Sequence, residues 1–175
     1  MRKTTIIALF AVLLATGSLC FAADLKPFKA QVQVIATSEL ALEEALSYGF
    51  LSEVIAARGT PDLMQRLTLD GINNVGGKVI AENAQIMYFN PSIFAMELYE
   101  VGTITVANGD QIFQTIEGIF YLATNSGTGT TAIVGGNGRF EGVEGFTEFT
   151  VALDSDGIIN VVLNGYITTV GEAKK

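Results

Sequence analysis

From Gly59 onward the sequence repeats one device. A short run alternates apolar and polar residues, and then a cluster of Gly, Asn, Asp or Pro interrupts it. Leu63 to Asp70 meets Gly71, and Lys78 to Asn90 stops at Asn90-Pro91. Ile93 to Val106 stops at Ala107-Asn108-Gly109-Asp110, and Gln111 to Leu122 gives way to a loop over Asn125 to Gly129. Thr130 to Val134 meets Gly135-Gly136, while Phe146 to Leu153 and Ile158 to Thr168 flank Asp154-Ser155-Asp156-Gly157. Alternation of period two puts one set of side chains on each face of a strand. An earlier run, Phe28 to Ile35, sets Phe28, Ala30, Val32 and Val34 against Lys29, Gln31 and Gln33. About eight to nine strands with turns about every 10 to 15 residues make an all-β chain, an antiparallel barrel or sandwich.

One stretch breaks the pattern. Ser38 to Arg58 opens with helix formers, a Ser that can cap, and acids near its start. The reading is one short helix near residues 38–48, with Phe50 to Ala57 either extending it or forming a strand; the strand is preferred.

The N-terminus reads as a cleaved export signal. Arg2 and Lys3 precede an apolar run from Thr4 to Leu14, and Cys20-Phe21-Ala22 meets the small-x-small rule. The expected division is a signal peptide over 1–22 and a single β-barrel domain over 23–175. At about 11 residues the apolar run is short of the roughly 20 needed to span a bilayer, so no stable membrane span is expected after cleavage. A secreted or periplasmic location follows; the alternative is a lipid anchor on Cys20. Cleavage removes Arg2 and Lys3, taking the net charge from −8 to −10. So acidic a chain is not expected to bind nucleic acid, whose phosphates call for basic patches.

The densest turn lies between Gly135 and Gly145, where five of eleven positions are Gly. Glycine suits positive φ and close backbone approach. Gly135, Gly136 and Gly138 therefore read as a fixed structural turn, anchored by Phe140 as a buried aromatic. A phosphate cradle would lead into a helix; here another strand follows.

Taken in order, GTITVANGDQIF (Gly102 to Phe113), a strand with internal Gly118, TAIVGGNGRFEGVEG and LNGYI (Leu163 to Ile167) resemble a group of small exported bacterial proteins. Those carry a run like AANGDQL and then GGTGRFAGATG, and are similar to the allene oxide cyclase and dirigent barrel superfamily. The likeness covers Gly102 to Ile167. It implies an antiparallel eight-stranded barrel with an apolar interior, and a homo-oligomer, dimer or trimer. The group also tends to show GxAxHLGxFT; the matching segment here is GTPDLMQRLT, with Leu63 in place of the His and Gln65 in place of the Gly. Whatever that His does in relatives is not done the same way here.

Catalysis by Ser-His-Asp or Cys-His is excluded in its usual form. The chain has no His, and its one Cys lies in the signal segment. Zinc or copper on imidazole or thiolate is excluded likewise. No catalytic residue, metal or cofactor is expected. Asp154-Ser155-Asp156-Gly157 opens like a calcium loop, but Gly165 stands where the twelfth-position Glu would be; a hairpin turn is the better reading.

A candidate site comes from register. If Asn108-Gly109 is a two-residue turn, Ala107 faces Asp110, Ile104 faces Phe113, Glu100 faces Glu117, Leu98 faces Ile119 and Met96 faces Tyr121. Two carboxylates then oppose each other in an apolar ladder, where like charges are destabilising. Glu100, Glu117 and Tyr121 become the expected ligand-binding residues; a slipped register, a bulge or a solvent-facing side is the bland alternative. The other face of the ribbon is apolar too, with Tyr99, Val101, Ile116 and Phe120, which suits a partner subunit or a packed segment.

Three functions remain. The first is a non-catalytic barrel holding an apolar or amphipathic small molecule. The second is a cyclase- or dirigent-like enzyme steering a reactive intermediate by cavity shape. The third is a structural, self-associating surface protein with a filled barrel. An open cavity ringed only by apolar groups favours the first, one with convergent Glu, Tyr or Asn the second, and a solid interior the third.

Overall fold

The computed structural model describes residues 25–168. The expected signal segment, its boundary after residue 22 and the tail from Gly171 lie outside them. Eight strands run in chain order: β1 (Leu25–Glu39), β2 (Leu63–Asn73), β3 (Gly77–Asn90), β4 (Ala95–Val106), β5 (Gln111–Tyr121), β6 (Ser126–Gly136), β7 (Gly145–Leu153) and β8 (Ile159–Thr168). Each pairs antiparallel with its neighbour in sequence, and β1 pairs with β8, so the sheet closes as a barrel. Closure satisfies every strand's hydrogen bonds and leaves no edge.

The alternating residues face inward as the sequence predicts. Phe28, Ala30 and Val32 of β1, Thr147, Phe149 and Val151 of β7, and Leu163 and Ile167 of β8 are all buried. Two strands carry an extra residue: Ile35 in β1 and Val134 in β6 have no partner in the ladder and stand exposed. Such bulges bend a strand and increase its twist, which a closing sheet needs. The Phe149 ring lies over Gly118 and Gly129; a methyl group on either would come within 2.6 and 2.5 Å of it.

One end of the barrel is plugged. It carries the β2–β3, β4–β5 and β6–β7 connections, and there Phe28, Val79, Ile112, Phe140 and Val143 pack together in the main core. Phe140 sits in a 3-10 turn, Gly138–Phe140, inside the β6–β7 connection. The glycine stretch meets the Asn-Gly turn here. The Asn137 side chain accepts from the Gln111 backbone N–H (2.8 Å) and donates to Gln111 Oε1 (2.8 Å). Gly138 has φ +58°, and a Cβ on it would lie 2.0 Å from Asp110 Oδ1. Arg139 pairs with Asp110 at 3.4 Å and stacks over Phe140. The Asn-Gly turn and the glycine stretch thus form one interlocked end cap.

The structure departs from the sequence expectations at four places. Residues 126–129 begin β6 rather than forming a loop, and β2 runs through Gly71 to Asn73. Between β1 and β2 there are two helices, α1 (Leu42–Ala45) and α2 (Gly49–Arg58), and no strand over 50–57. Gly49 starts α2 instead of separating elements. The pair lies on the outer face of β3 and β4, where Leu40, Ala45, Leu51, Ala84, Ile86 and Tyr88 form a second core backed by Tyr99 and Val101. The helices therefore cover Tyr99 and Val101 on β4, whereas Ile116 and Phe120 of β5, expected on the same face, line the interior. Arg58 fastens the helices: its guanidinium stacks over Tyr88 (4.6 Å) and Tyr99 (5.3 Å) and pairs with Glu97 at 2.5 Å.

Candidate functional site

The β4–β5 turn is not the two-residue turn that the sequence suggested. Gly109 N–H donates to Val106 C=O (2.8 Å), Val106 N–H donates to Asp110 C=O (3.0 Å), and Gly109 has φ +90°. This is a three-residue loop with its glycine in the left-handed region. The ladder slips by one residue: Glu100 opposes Ile116, Tyr99 opposes Glu117, and Ala95 opposes Tyr121. A one-residue slip moves a whole set of side chains to the other face. Glu100 stays inside. Glu117 and Tyr121 go outside, so the three do not meet. Tyr121 is 40% exposed. Glu117 lines a shallow outer hollow with Glu97 and Tyr99, and partial burial raises its carboxyl above the ordinary range.

Inside the barrel is a cavity of about 430 Å³, room for on the order of fourteen waters at liquid density. Its wall is chiefly aliphatic, from residues such as Val32, Leu67, Leu98, Val151 and Leu163. The rim lies at the end opposite the plug, where Leu63 is 43% exposed and Val34, Met87 and Ile159 are half-buried. An open interior removes the main support for a filled barrel.

Polar groups gather on one wall, and Glu100 is their centre. It is buried on β4 with Gln85 of β3 directly opposite and Asn83 two residues away on the same face. Gln85 Nε2 donates to Glu100 Oε1 (2.5 Å) and Asn83 Nδ2 donates to Oε2 (2.6 Å). Gln65 of β2 donates in turn to Gln85 Oε1 (2.6 Å). Gln114 of β5 and Thr131 of β6 complete the cluster. Burial pushes the Glu100 carboxyl upward, and the two amide donors pull it only part of the way back. The cluster's amides escaped the sequence reading. Their signal was in β3, where Asn83 and Gln85 interrupt the inward set Val79, Ala81, Met87.

Asp154 holds its own hairpin. Its Oδ1 accepts from the backbone N–H of Asp156 and Ile158, each at 2.9 Å, and Oδ2 accepts from Asn160. The bond from Ile158 is the largest cause of its lowered pKa. These oxygens serve the turn.

Glu100 gives a pH test. An acid whose folded pKa is raised destabilises the fold as pH climbs past its unfolded value, about 4.3, toward the folded one. Glu100→Gln removes that penalty and keeps the shape, with the Asn83 amide free to reverse and accept. The variant should gain more melting temperature over wild type at pH 8 than at pH 4, measured by thermal unfolding. An equal shift at both pH values would mean that Glu100 is not held in a desolvated site.

No family model matches the chain, and no curated protein does. Among solved structures the chain is similar to the pterocarpan synthase dirigent protein GePTS1, at 15% identity over 90% of this chain and 92% of that one, with a TM-score of 0.47; at that score nothing about the site follows from it.

Proposed function

We propose that this is an exported barrel that holds an apolar or amphipathic small molecule in its interior, without catalysis. The observation that carries the reading is the cavity itself: about 430 Å³, lined chiefly by aliphatic side chains, open at one end and plugged at the other. That size falls in the range of ligand pockets, roughly 300 to 1,000 Å³, and an apolar wall with a few placed polar groups is their usual composition. Export rests on Arg2, Lys3 and the apolar run after them; the N-terminal residue of the exported protein checks it, and an acylated Cys20 would contradict it.

The test is saturable binding of the neutral fluorophore N-phenyl-1-naphthylamine to the mature protein. One equivalent, with a rise in emission, is expected. Emission that grows linearly without saturating would overturn the reading. A second reading, steering of a reactive intermediate, has its own support in the convergence of Glu100, Asn83, Gln85 and Gln114 on the cavity wall. Turnover of a bound molecule, followed by mass spectrometry of what the protein releases, separates the two. A dimer or trimer is a further proposal, supported by outward Phe146 and Tyr166, which oppose each other across β7 and β8 and are more than half exposed; sedimentation as a monomer would exclude it.

A further inference from the structure

We infer that the cavity selects a neutral molecule whose polar end donates a hydrogen bond, an alcohol rather than a carboxylic acid. This rests on the reading of the barrel as a binding cavity and adds the class of head group.

Three buried polar atoms on the cavity wall have no partner: Asn83 Oδ1, Gln114 Oε1 and Thr131 Oγ1. Asn83 and Gln114 are each 5% exposed and Thr131 1%. A buried acceptor left without a donor costs about 1–3 kcal/mol, so each such atom needs a donor from whatever fills the space. Two of the three can only accept, and the third can accept as well. Asn83 and Gln114 flank Gly102 in one row across β3, β4 and β5. A methyl group built on Gly102 would lie 2.1 Å from Asn83 Oδ1 and 3.0 Å from Gln114 Nε2. The two amides therefore fill the space that Gly102 leaves without a side chain, and a ligand's polar end can meet them from the cavity side.

Charge narrows the class. Among the described residues no Lys or Arg lines the cavity, and the only ionisable group on its wall is Glu100. An anionic ligand would enter beside a carboxyl and an array of acceptor oxygens with nothing to neutralise it, and a buried charge without a partner is strongly disfavoured. An ammonium would need Glu100 ionised, yet both Glu100 oxygens are already held by amide donors. A hydroxyl meets the open acceptors and leaves the Glu100 bonds in place. It repeats what a water there would do, while its apolar body covers the aliphatic wall.

Four probes of one shape test this: naphthalene, 1-naphthalenemethanol, 1-naphthoate and 1-naphthylmethylammonium. Their own fluorescence reports binding, since the chain has no Trp. At pH 7 the alcohol should bind about ten-fold tighter than naphthalene, and at least as far ahead of the naphthoate. Gln114→Leu should erase the advantage of the alcohol and leave naphthalene binding as before or tighter. Thr131→Val, nearly equal in shape, should reduce the advantage in the same direction and guards against a folding defect in the first variant. Naphthoate binding as tightly as the alcohol, the ammonium binding tightest, or an alcohol preference unchanged in both variants would overturn the inference. Equal affinity for all four would overturn it while leaving the binding cavity intact; no binding by any of them would remove the cavity reading itself.

Discussion

Phe28→Ala should lower stability by about 3–5 kcal/mol, the range for deleting a buried aromatic ring. Phe28 is 0% exposed and belongs to the plug. It stands opposite Gly165 of β8, so no side chain across the ladder can move in to fill the space it would leave. A domain of this size is stable by about 5–15 kcal/mol, so the loss is a large share of the total. The melting temperature should fall by roughly 10–15 °C, read by thermal unfolding followed by circular dichroism. A fall of a degree or two would mean that the closed end of the barrel is held by something other than this packing.

Ala81→Phe should abolish binding of N-phenyl-1-naphthylamine, or weaken it at least about a hundred-fold, while leaving the barrel folded. Ala81 points inward from β3, between Leu69 and Ile104, and lines the cavity. A phenyl ring there projects into empty volume. Overpacking a solid core costs about 1–3 kcal/mol; in an open one the cost should be less. Ile80→Phe is the matched control, since Ile80 is the neighbouring residue, faces outward and is partly exposed. It adds the same ring outside the barrel and should leave binding unchanged. Equal binding by both variants would place the probe somewhere other than the interior.

The architecture was legible because alternation is a local property. Phe28, Ala30 and Val32, or Thr147, Phe149 and Val151, declare their face from spacing alone. The α2 helix was harder to read. Phe50, Leu51, Val54 and Ile55 pack on the outside of the barrel, and the eight residues from Phe50 to Ala57, six of them apolar, read equally well as a strand. The partners that make it a helix, Ala84, Ile86 and Tyr99, lie on β3 and β4.

The site was half legible. Glu100 faces the cavity, but its partner across the β4–β5 ladder is Ile116 and not Glu117. Asn-Gly serves both two- and three-residue hairpin loops, and the choice decides register. β5 gave no help, because Ile112, Gln114, Ile116 and Gly118 compete with Phe113, Thr115, Glu117 and Ile119, and both sets mix apolar and polar residues. The amides around Glu100 come from β2, β3 and β5. Their meeting is a product of the ladder, visible only once each strand's register is fixed.

The closure of the sheet has a consequence for how the chain folds. Six of its eight seams join strands linked by connections of a few residues, and the β1–β2 seam spans only the two helices. The seam between β1 and β8 is different: it joins Leu25 to Thr168. Bringing those ends together costs roughly 3 kcal/mol more in chain entropy than closing a hairpin, and long-range strand pairing is slow. That difference in cost favours a meander that pairs first as an open sheet, with β1 and β8 at its margins. Until the β1–β8 seam closes, such a sheet has two unpaired edges, the kind of edge on which another copy can pair.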